Sequence, residues 1–228
     1  MGRLKFYSLV VKNITQNTKD CISLTFDIPN ELSDIFQFKA GQYLTLKRSI
    51  GGEELRRSYS ISSVPGQSDL TLAVKKLPGG KFSTYAHEVL KKDDKLDVMP
   101  PSGNFTIDPN VKNVVFFAAG SGITPIISQI SDLLNHTQDA SLTLIYSNKN
   151  FESIIFREEL EGLKNKYLNR LAIHHVFSKE KTGLPLFFGR IDKAKCRLMS
   201  ESLYDISYTD GFMICGPNDM IFNVRDAL

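Results

Sequence analysis

A chain of 228 residues, 42% apolar and 23% charged, has the composition of a folded globular protein and is long enough for two domains of about 100 to 120 residues each. Its net charge of +3 is mild and argues against a nucleic-acid footprint, which needs a concentrated basic face. The longest apolar run, "VVFFAA" at 114–119, falls far short of the roughly 20 residues of a membrane span, and "MGRLKFYSLVVKN" is too short in its apolar part for a secretory signal, so a cytoplasmic location is expected.

The first half reads as short strands at 6–14, 21–28, 42–48, 57–63 and 70–77, rich in β-branched and aromatic residues and separated by Gly, Pro, Asn and Asp. A helix is expected over 82–92, and a further strand pair flanking "PPSGNF" (100–105). Many short strands at this spacing predict an antiparallel barrel. The second half alternates. Strands at 113–119, 141–147, 171–178 and 211–215 are interleaved with helices at 125–136, 153–167, 193–203 and from 217 onward. Apolar strands alternating with helices predict a parallel sheet covered on both faces. The change of pattern near "IDPNVKN" (107–113) places the domain boundary between 109 and 110.

"FFAAGSGITPIIS" (116–128) sets Gly120 and Gly122 where a strand gives way to a helix. Glycines allow a tight turn and close approach of backbone N–H groups to a ligand, and Pro125 suits a first helical turn. A helix N-terminus of this kind attracts an anion such as a pyrophosphate. The pattern is G-x-G-x-x-P rather than the dinucleotide fingerprint G-x-G-x-x-G, so alone it also fits a turn without a ligand. "GGKFST" (79–84) is not a Walker A loop, because Phe82 follows Lys81 where Ser or Thr is required.

Four motifs stand in one order: "RRSYSISS" (56–63), "GGKFSTY" (79–85), "AAGSGITP" (118–125) and "MICGPNDM" (213–220). Together they resemble the ferredoxin–NADP reductase superfamily over nearly the whole chain. The resemblance implies an antiparallel Greek-key β-barrel that binds FAD (1–109), followed by an α/β parallel-sheet domain that binds NAD(P) (110–228) and is cut short at its C-terminal end. By that resemblance Arg57 binds the FAD pyrophosphate from the same strand as Ser58, Tyr59 lies against the isoalloxazine ring, and Ser60 bonds near its N5. The chemistry is consistent: a guanidinium forks onto phosphate oxygens, and a hydroxyl can donate to N5 as charge builds there. Taken alone, Arg57 fits a surface ion pair and Tyr59 a core position equally well.

The same resemblance makes Gly80, Lys81, Phe82, Ser83 and Thr84 the start of a helix that meets the FAD phosphates, and lays Val74 and Lys75 along the flavin through backbone contacts. "PPSGNF" resembles the turn that closes the barrel, with Pro100 where glycine is usual. Gly120, Ser121, Gly122, Thr124 and Pro125 would receive the nucleotide pyrophosphate, with Thr124 between flavin and nicotinamide. Cys215, followed by Gly216 and Pro217, would lie beside the nicotinamide C4; nothing makes it a nucleophile. Tyr59, Ser60, Thr124 and Cys215 are thus the residues expected at the reacting atoms.

For the adenosine end, Ser178 and Lys179 in "FSKE" are the candidates for a ribose 2′-phosphate, with Ser147, Lys149 and Arg157 in support, so NADP(H) is expected in preference to NAD(H). Lysine lacks the bidentate fork of arginine, which weakens such selectivity. "LIYSNKNFESIIFREEL" and "FFGRID" are most similar to the reductase components of phenylacetyl-CoA oxygenases and related ring-oxidising systems. Those usually carry a 2Fe–2S ferredoxin domain, and Cys21, Cys196 and Cys215 are too few and scattered for the four thiolates such a cluster needs. The sequence is therefore expected to lack that domain and to pass electrons to an iron–sulfur protein or domain and an oxygenase component. A stand-alone ferredoxin or flavodoxin reductase, and a flavin-binding electron-transfer or regulatory subunit, remain alternatives. No metal site is expected: His174 and His175 are neighbours on a strand and point to opposite faces.

Overall fold

The computed structural model describes residues 5–108 and 110–228. The N-terminal half forms six strands: β1 (Tyr7–Thr18), β2 (Cys21–Asp27), β3 (Tyr43–Ile50), β4 (Glu53–Ser60), β5 (Asp69–Lys75) and β6 (Lys95–Val98). They make one antiparallel sheet in the order β4-β3-β6-β1-β2-β5. The sheet curls until its two edges meet, where Ile61 bridges Leu72 and Ser62 N–H donates to Thr71 O at 2.8 Å. Alternation makes this possible: Leu9, Val11, Ile22, Leu24, Phe26, Leu44, Leu46, Leu70, Leu72 and Val74 all face one buried core. Each such side chain contributes about 1.5–3 kcal/mol by leaving water.

Helix α1 (Lys81–Glu88) plugs the barrel with Phe82 and Ala86. It ends four residues earlier than the periodicity predicts, where Asp94 accepts the Lys91 N–H at 2.8 Å and Asp93 takes φ 71°. The strand pair expected around 100–105 is also corrected. Only β6 precedes that segment, and beyond it Ser102 alone bridges Tyr43. Pro100 and Pro101 carry no N–H for a ladder, and Gly103 turns at φ 116° against the Tyr43 ring.

The C-terminal half has four parallel strands, β7 (Asn113–Ala119), β8 (Ser141–Asn148), β9 (Leu171–Phe177) and β10 (Gly211–Cys215), in the order β10-β7-β8-β9. Helices α2 (Ile123–His136) and α3 (Arg157–Lys166) cover one face. Helices α4 (Lys193–Ser202) and α5 (Asn218–Arg225) cover the other. Both layers are needed because β7 is apolar on both faces: Val114 and Phe116 join one cluster, Val115 and Phe117 the other. Helix α3 starts four residues later than expected, after a 3-10 turn at Phe151–Ser153 and a left-handed Phe156 at φ 60°. The fold is the antiparallel barrel followed by a parallel α/β sheet that the sequence pattern predicts. The boundary placed between 109 and 110 falls at Pro109, outside the described residues.

Helix α2 also packs on the barrel. Cys21 and Ala73 sit on its outer wall yet are buried, in the same cluster as Ile123, Ile126 and Ile127. Ser128 Oγ donates to Ser63 O at 2.7 Å, and Gln129 Nε2 donates to Phe105 O at 2.6 Å. Gly41 makes room for the second bond: at φ 97°, a Cβ there would lie 1.9 Å from Phe105 O and 2.5 Å from Gln129 Nε2. Gly41→Ala should therefore cost roughly 2–4 kcal/mol through left-handed strain and overpacking. Urea unfolding checks this; a loss below about 0.5 kcal/mol would contradict the tight seam.

Candidate functional site

The carboxyl end of β7 runs into a turn that meets the end of β5 in the barrel, and this seam lies at Lys75. On β4, Arg57 and Ser58 are exposed, while Tyr59 and Ser60 are half-buried. The Arg57 Nη1 donates to Arg56 O at 2.7 Å, and Ser58 Oγ lies 3.0 Å from Thr45 Oγ1. The Tyr59 ring leans on Phe82, centroids 5.8 Å apart at 38°. Burial pushes its phenol up to about 12, so it stays a proton-bearing donor throughout the neutral range. Lys81 pairs with Glu53 at 2.5 Å and holds that carboxyl below its ordinary value, tying the start of α1 to the start of β4.

At α1 the helix start is shaped by Gly80, whose Cβ would meet Ser83 Oγ at 2.5 Å. Ser83 is buried and holds the turn: its hydroxyl donates to Gly80 O and accepts from Leu77 N–H, both at 3.1 Å. Phe82 lies in the barrel core, 2% exposed, and Val74 is fully buried. The side chains of Phe82, Ser83 and Val74 are therefore committed to the fold, and what they offer a ligand is backbone. Thr84 is half-buried in the first turn, its N–H donating to Gly80 O at 2.9 Å.

Across the seam, β7 ends in a 3-10 turn, Gly120–Gly122, that runs straight into α2. Gly120 has φ 53°, and a Cβ on it would lie 3.5 Å from Lys75 Nζ. The ammonium of Lys75 thus reaches over from the barrel to the glycine turn, whereas the sequence reading assigned that residue only backbone contacts. Gly122 is required by close approach: its Cβ would lie 2.1 Å from Cys215 O and 3.0 Å from Gly216 N. Gly216 in turn leaves no room beside Ala119 Cβ (3.0 Å) and Met220 Cε (2.6 Å). The turns "GSG" and "CGP" are thereby pressed together over the ends of β7 and β10. Thr124 is 3% exposed and donates its hydroxyl to Ser121 O at 2.8 Å, so it closes the turn from within. Ser121 is exposed, Pro125 is buried in the first turn of α2, and Pro217 is the exposed residue preceding α5.

Further along, β8 and β9 extend side by side: Ser178 N–H donates to Asn148 O and Lys179 N–H to Lys149 O, both at 2.9 Å. This gathers Lys149, Ser178 and Lys179 at one edge, with half-buried Ser147 below them. Arg157 stands over the Phe151 ring at 4.6 Å, beside them. Glu180 also sits here, its Oε2 accepting the Phe151 N–H at 2.9 Å.

Two domain families match the chain: the oxidoreductase FAD-binding domain over residues 8–107 and the oxidoreductase NAD-binding domain over residues 116–226. The chain belongs to the ferredoxin–NADP reductase family. It is 40% identical over 228 residues to one of the subunits of the 1,2-phenylacetyl-CoA epoxidase of Escherichia coli (strain K12), covering 98% of this chain and 64% of that one. It is 33% identical over 222 residues to the ferredoxin reductase component of a 3-ketosteroid-9-alpha-monooxygenase of Rhodococcus rhodochrous, covering 96% and 60%. The chain thus spans a little under two thirds of the length of these curated relatives. Ferredoxin-NADP+ reductase from Plasmodium falciparum superposes with a TM-score of 0.77 at 22% identity, over 98% of this chain and 89% of that one, and shares the fold.

In this reductase-family chain the expected residues divide by role. Lys75 meets the turn at 120–122 and that turn meets Cys215; Arg57, Tyr59 and Ser60 lie together on β4; and Phe82, Ser83, Val74 and Thr124 are buried in the fold. Sequence reading missed Tyr146, whose fully buried hydroxyl bonds Gly120 O at 3.0 Å, because a tyrosine inside an apolar strand reads as core. It also missed Glu180, which nothing local distinguishes from a surface acid. Among the described residues, no group of three or more His, Cys, Asp and Glu is arranged to hold a metal, and no helix is long and apolar enough to cross a membrane. His174 and His175 stack on different partners, Phe187 and Phe177.

Burial raises all three thiols, Cys21 to about 12 and Cys196 to about 11, with Cys215 shifted the same way. A raised thiol pKa leaves little thiolate at pH 8. Native protein at that pH should consume iodoacetamide slowly, while the denatured chain is labelled at every cysteine. Fast labelling of Cys215 in the native state would contradict its passive role.

Proposed function

We propose that this chain is the flavin- and nucleotide-binding part of an NAD(P)H-oxidising reductase that takes hydride onto FAD and passes electrons singly to a 2Fe–2S acceptor. We further propose that it serves an oxygenase acting on an aromatic ring held as a phenylacetyl-CoA-type thioester. The observation that carries the reading is the contact of Gly122 with Cys215 and Gly216, which presses two strand-end turns together at the place where Lys75 reaches over from the barrel. A Cβ on Gly122 would strike Cys215 O and one on Gly216 would strike Met220 Cε, so either would push the two turns apart. A flat ring on one side and a dinucleotide on the other are what such a crevice, at the carboxyl ends of parallel strands, can hold.

When bound, FAD supplies a two-electron hydride acceptor that can be reoxidised one electron at a time. Arg57 would pair with its pyrophosphate, assisted by the backbone at the start of α1, where Lys81 is exposed. The protonated Tyr59 gives a face to stack on and a donor at its tip. Ser60 would offer a hydroxyl donor to the flavin ring. Ser121 and Gly122 would receive the nucleotide pyrophosphate, with Lys75 supplying a cation from the barrel. Cys215 would border the space beside the nicotinamide, while Thr124 holds the Ser121 carbonyl from within the turn. The chain's contribution to the rate would then be chiefly to hold the two cofactors in place.

The acceptor and oxygenase are inferred from the relatives, one a component of a phenylacetyl-CoA epoxidase and the other a ferredoxin reductase component of a monooxygenase. For the nucleotide, Lys149, Ser178 and Lys179 at the ends of β8 and β9 favour a 2′-phosphate. One oxygen of Glu180 is already engaged by the Phe151 N–H, which favours that reading over an acid facing a ribose.

The purified protein should show a flavin spectrum that bleaches anaerobically on adding NADPH, and Arg57→Ala should lose FAD on dilution about tenfold more readily. A flavin content equal to wild type would remove Arg57 from the site, and a flavin that neither nucleotide reduces would sink the reductase reading. Lys179→Ala should raise the KM for NADPH about five- to tenfold with little effect on that for NADH, since one exposed charge contact to phosphate is lost. Equal changes for both nucleotides would take Lys179 out of the 2′-phosphate site.

A further inference from the structure

Packing alone does not explain the buried hydroxyl of Tyr146. Tyr146 is fully buried on β8, and its ring is satisfied by apolar neighbours and by His175, 5.9 Å away. A phenylalanine would fill the same space. The hydroxyl instead bonds two backbone groups that are distant in sequence. It donates to Gly120 O at 3.0 Å and accepts from Ile155 N–H at 3.3 Å.

These groups belong to the two loops that border the nucleotide crevice. Gly120 opens the glycine turn. Ile155 lies in the β8–α3 connection, whose residues 154–156 are buried and whose Phe156 is left-handed at φ 60°. Upstream, the connection is a rigid unit. Asn150 N–H donates to Ser153 Oγ at 3.1 Å, that hydroxyl donates back to Asn150 O at 2.7 Å, and Phe151 N–H donates to Glu180. Lys149 leads into this unit.

We infer that Tyr146 is a positioning residue that aims the Gly120–Ser121 peptide at the nucleotide and couples that turn to the loop carrying Lys149. The inference rests on the reading, proposed above, that this turn takes the nucleotide pyrophosphate. The geometry is that of a planar trans peptide, in which C=O and N–H point opposite ways. The Gly120 oxygen is held inward by the Tyr146 hydroxyl and by the Ile123 N–H. The Ser121 N–H of the same peptide therefore points outward, on the side where Ser121 is exposed and the Lys75 ammonium stands by. Without the hydroxyl, one of the two bonds holding that oxygen is gone and the Ile155 N–H is buried without a partner. Both loops then relax independently.

The test uses the FAD-loaded protein and anaerobic stopped-flow reduction. Tyr146→Phe should raise the Kd for the reducing nucleotide about tenfold, the scale of one buried bond, while the limiting reduction rate at saturation and the FAD content stay within about twofold of wild type. A Kd unchanged within error, even with a lowered Tm, would mean that the hydroxyl serves stability alone and would overturn the inference. So would a fall in the limiting rate at unchanged Kd. Ser121→Asp, an exposed change that sets a negative charge beside the same N–H, separates the two levels. If it raises Kd and Tyr146→Phe does not, the turn binds the nucleotide and only the role of Tyr146 fails. If Ser121→Asp leaves Kd unchanged, the placement of the pyrophosphate fails, and the inference with it. Should Tyr146→Phe not retain FAD, hydrogen exchange on the wild-type protein decides. Nucleotide should slow exchange at 120–124 and at the buried 154–156 together; protection confined to 120–124 would overturn the coupling.

Discussion

Helix α2 is anchored to the barrel by Ser128 and Gln129, and this anchorage ties the parallel-sheet half to the barrel. Both bonds are made to backbone carbonyls of the barrel, Ser63 O and Phe105 O. Ser63 follows the strand that carries Arg57, Tyr59 and Ser60. Phe105 closes the last turn of the barrel over Gly41. Because α2 begins at the glycine turn, fixing the helix fixes Gly120 and Gly122 relative to β4 and β5. The small residues at the contact, Cys21 and Ala73, let the helix come close enough for this to hold.

The seam is assembled from backbone more than from side chains. Gly122 sits against the Cys215 carbonyl, Gly216 against Ala119, and Gly80 against Ser83, so three glycines mark three close approaches. Backbone donors suit anionic ligands because they are rigid, cost no side-chain entropy when a ligand binds, and gain from the helix dipole behind them. Side chains whose types suggest contact with a ligand, Thr124 and Ser83, turn inward and shape these donors instead. Outward charge comes from a few long side chains: Lys75 at the glycine turn, Lys149 and Lys179 just beyond β8 and β9, and Arg57 on β4.

Much of this was readable in one dimension. Alternation along β3 and β5 announced a half-buried antiparallel sheet, and the unbroken apolar run of β7 announced a strand covered twice. Glycines at 120 and 122 announced a tight strand-to-helix turn. Other features were not readable. The ends of α1 and α3 moved because Asp94 and a left-handed Phe156 impose local geometry that helical periodicity does not encode. The strand expected after "PPSGNF" did not form, because a proline pair and a sharply turned Gly103 leave Ser102 alone to bridge back to Tyr43.

The sequence by itself determined the periods, the turn chemistry and the kinds of side chain available, since these depend on residues a few positions apart. Tertiary structure alone decided what each side chain is used for. Ser128 reaches Ser63 across 65 positions, Tyr146 reaches Gly120 across 26, and Lys75 meets the glycine turn from another domain. A hydroxyl or an ammonium has no fixed role until the fold supplies its partner, because the worth of a polar contact depends on burial and on the group opposite. Composition names the donors; only the packed chain shows which of them point outward.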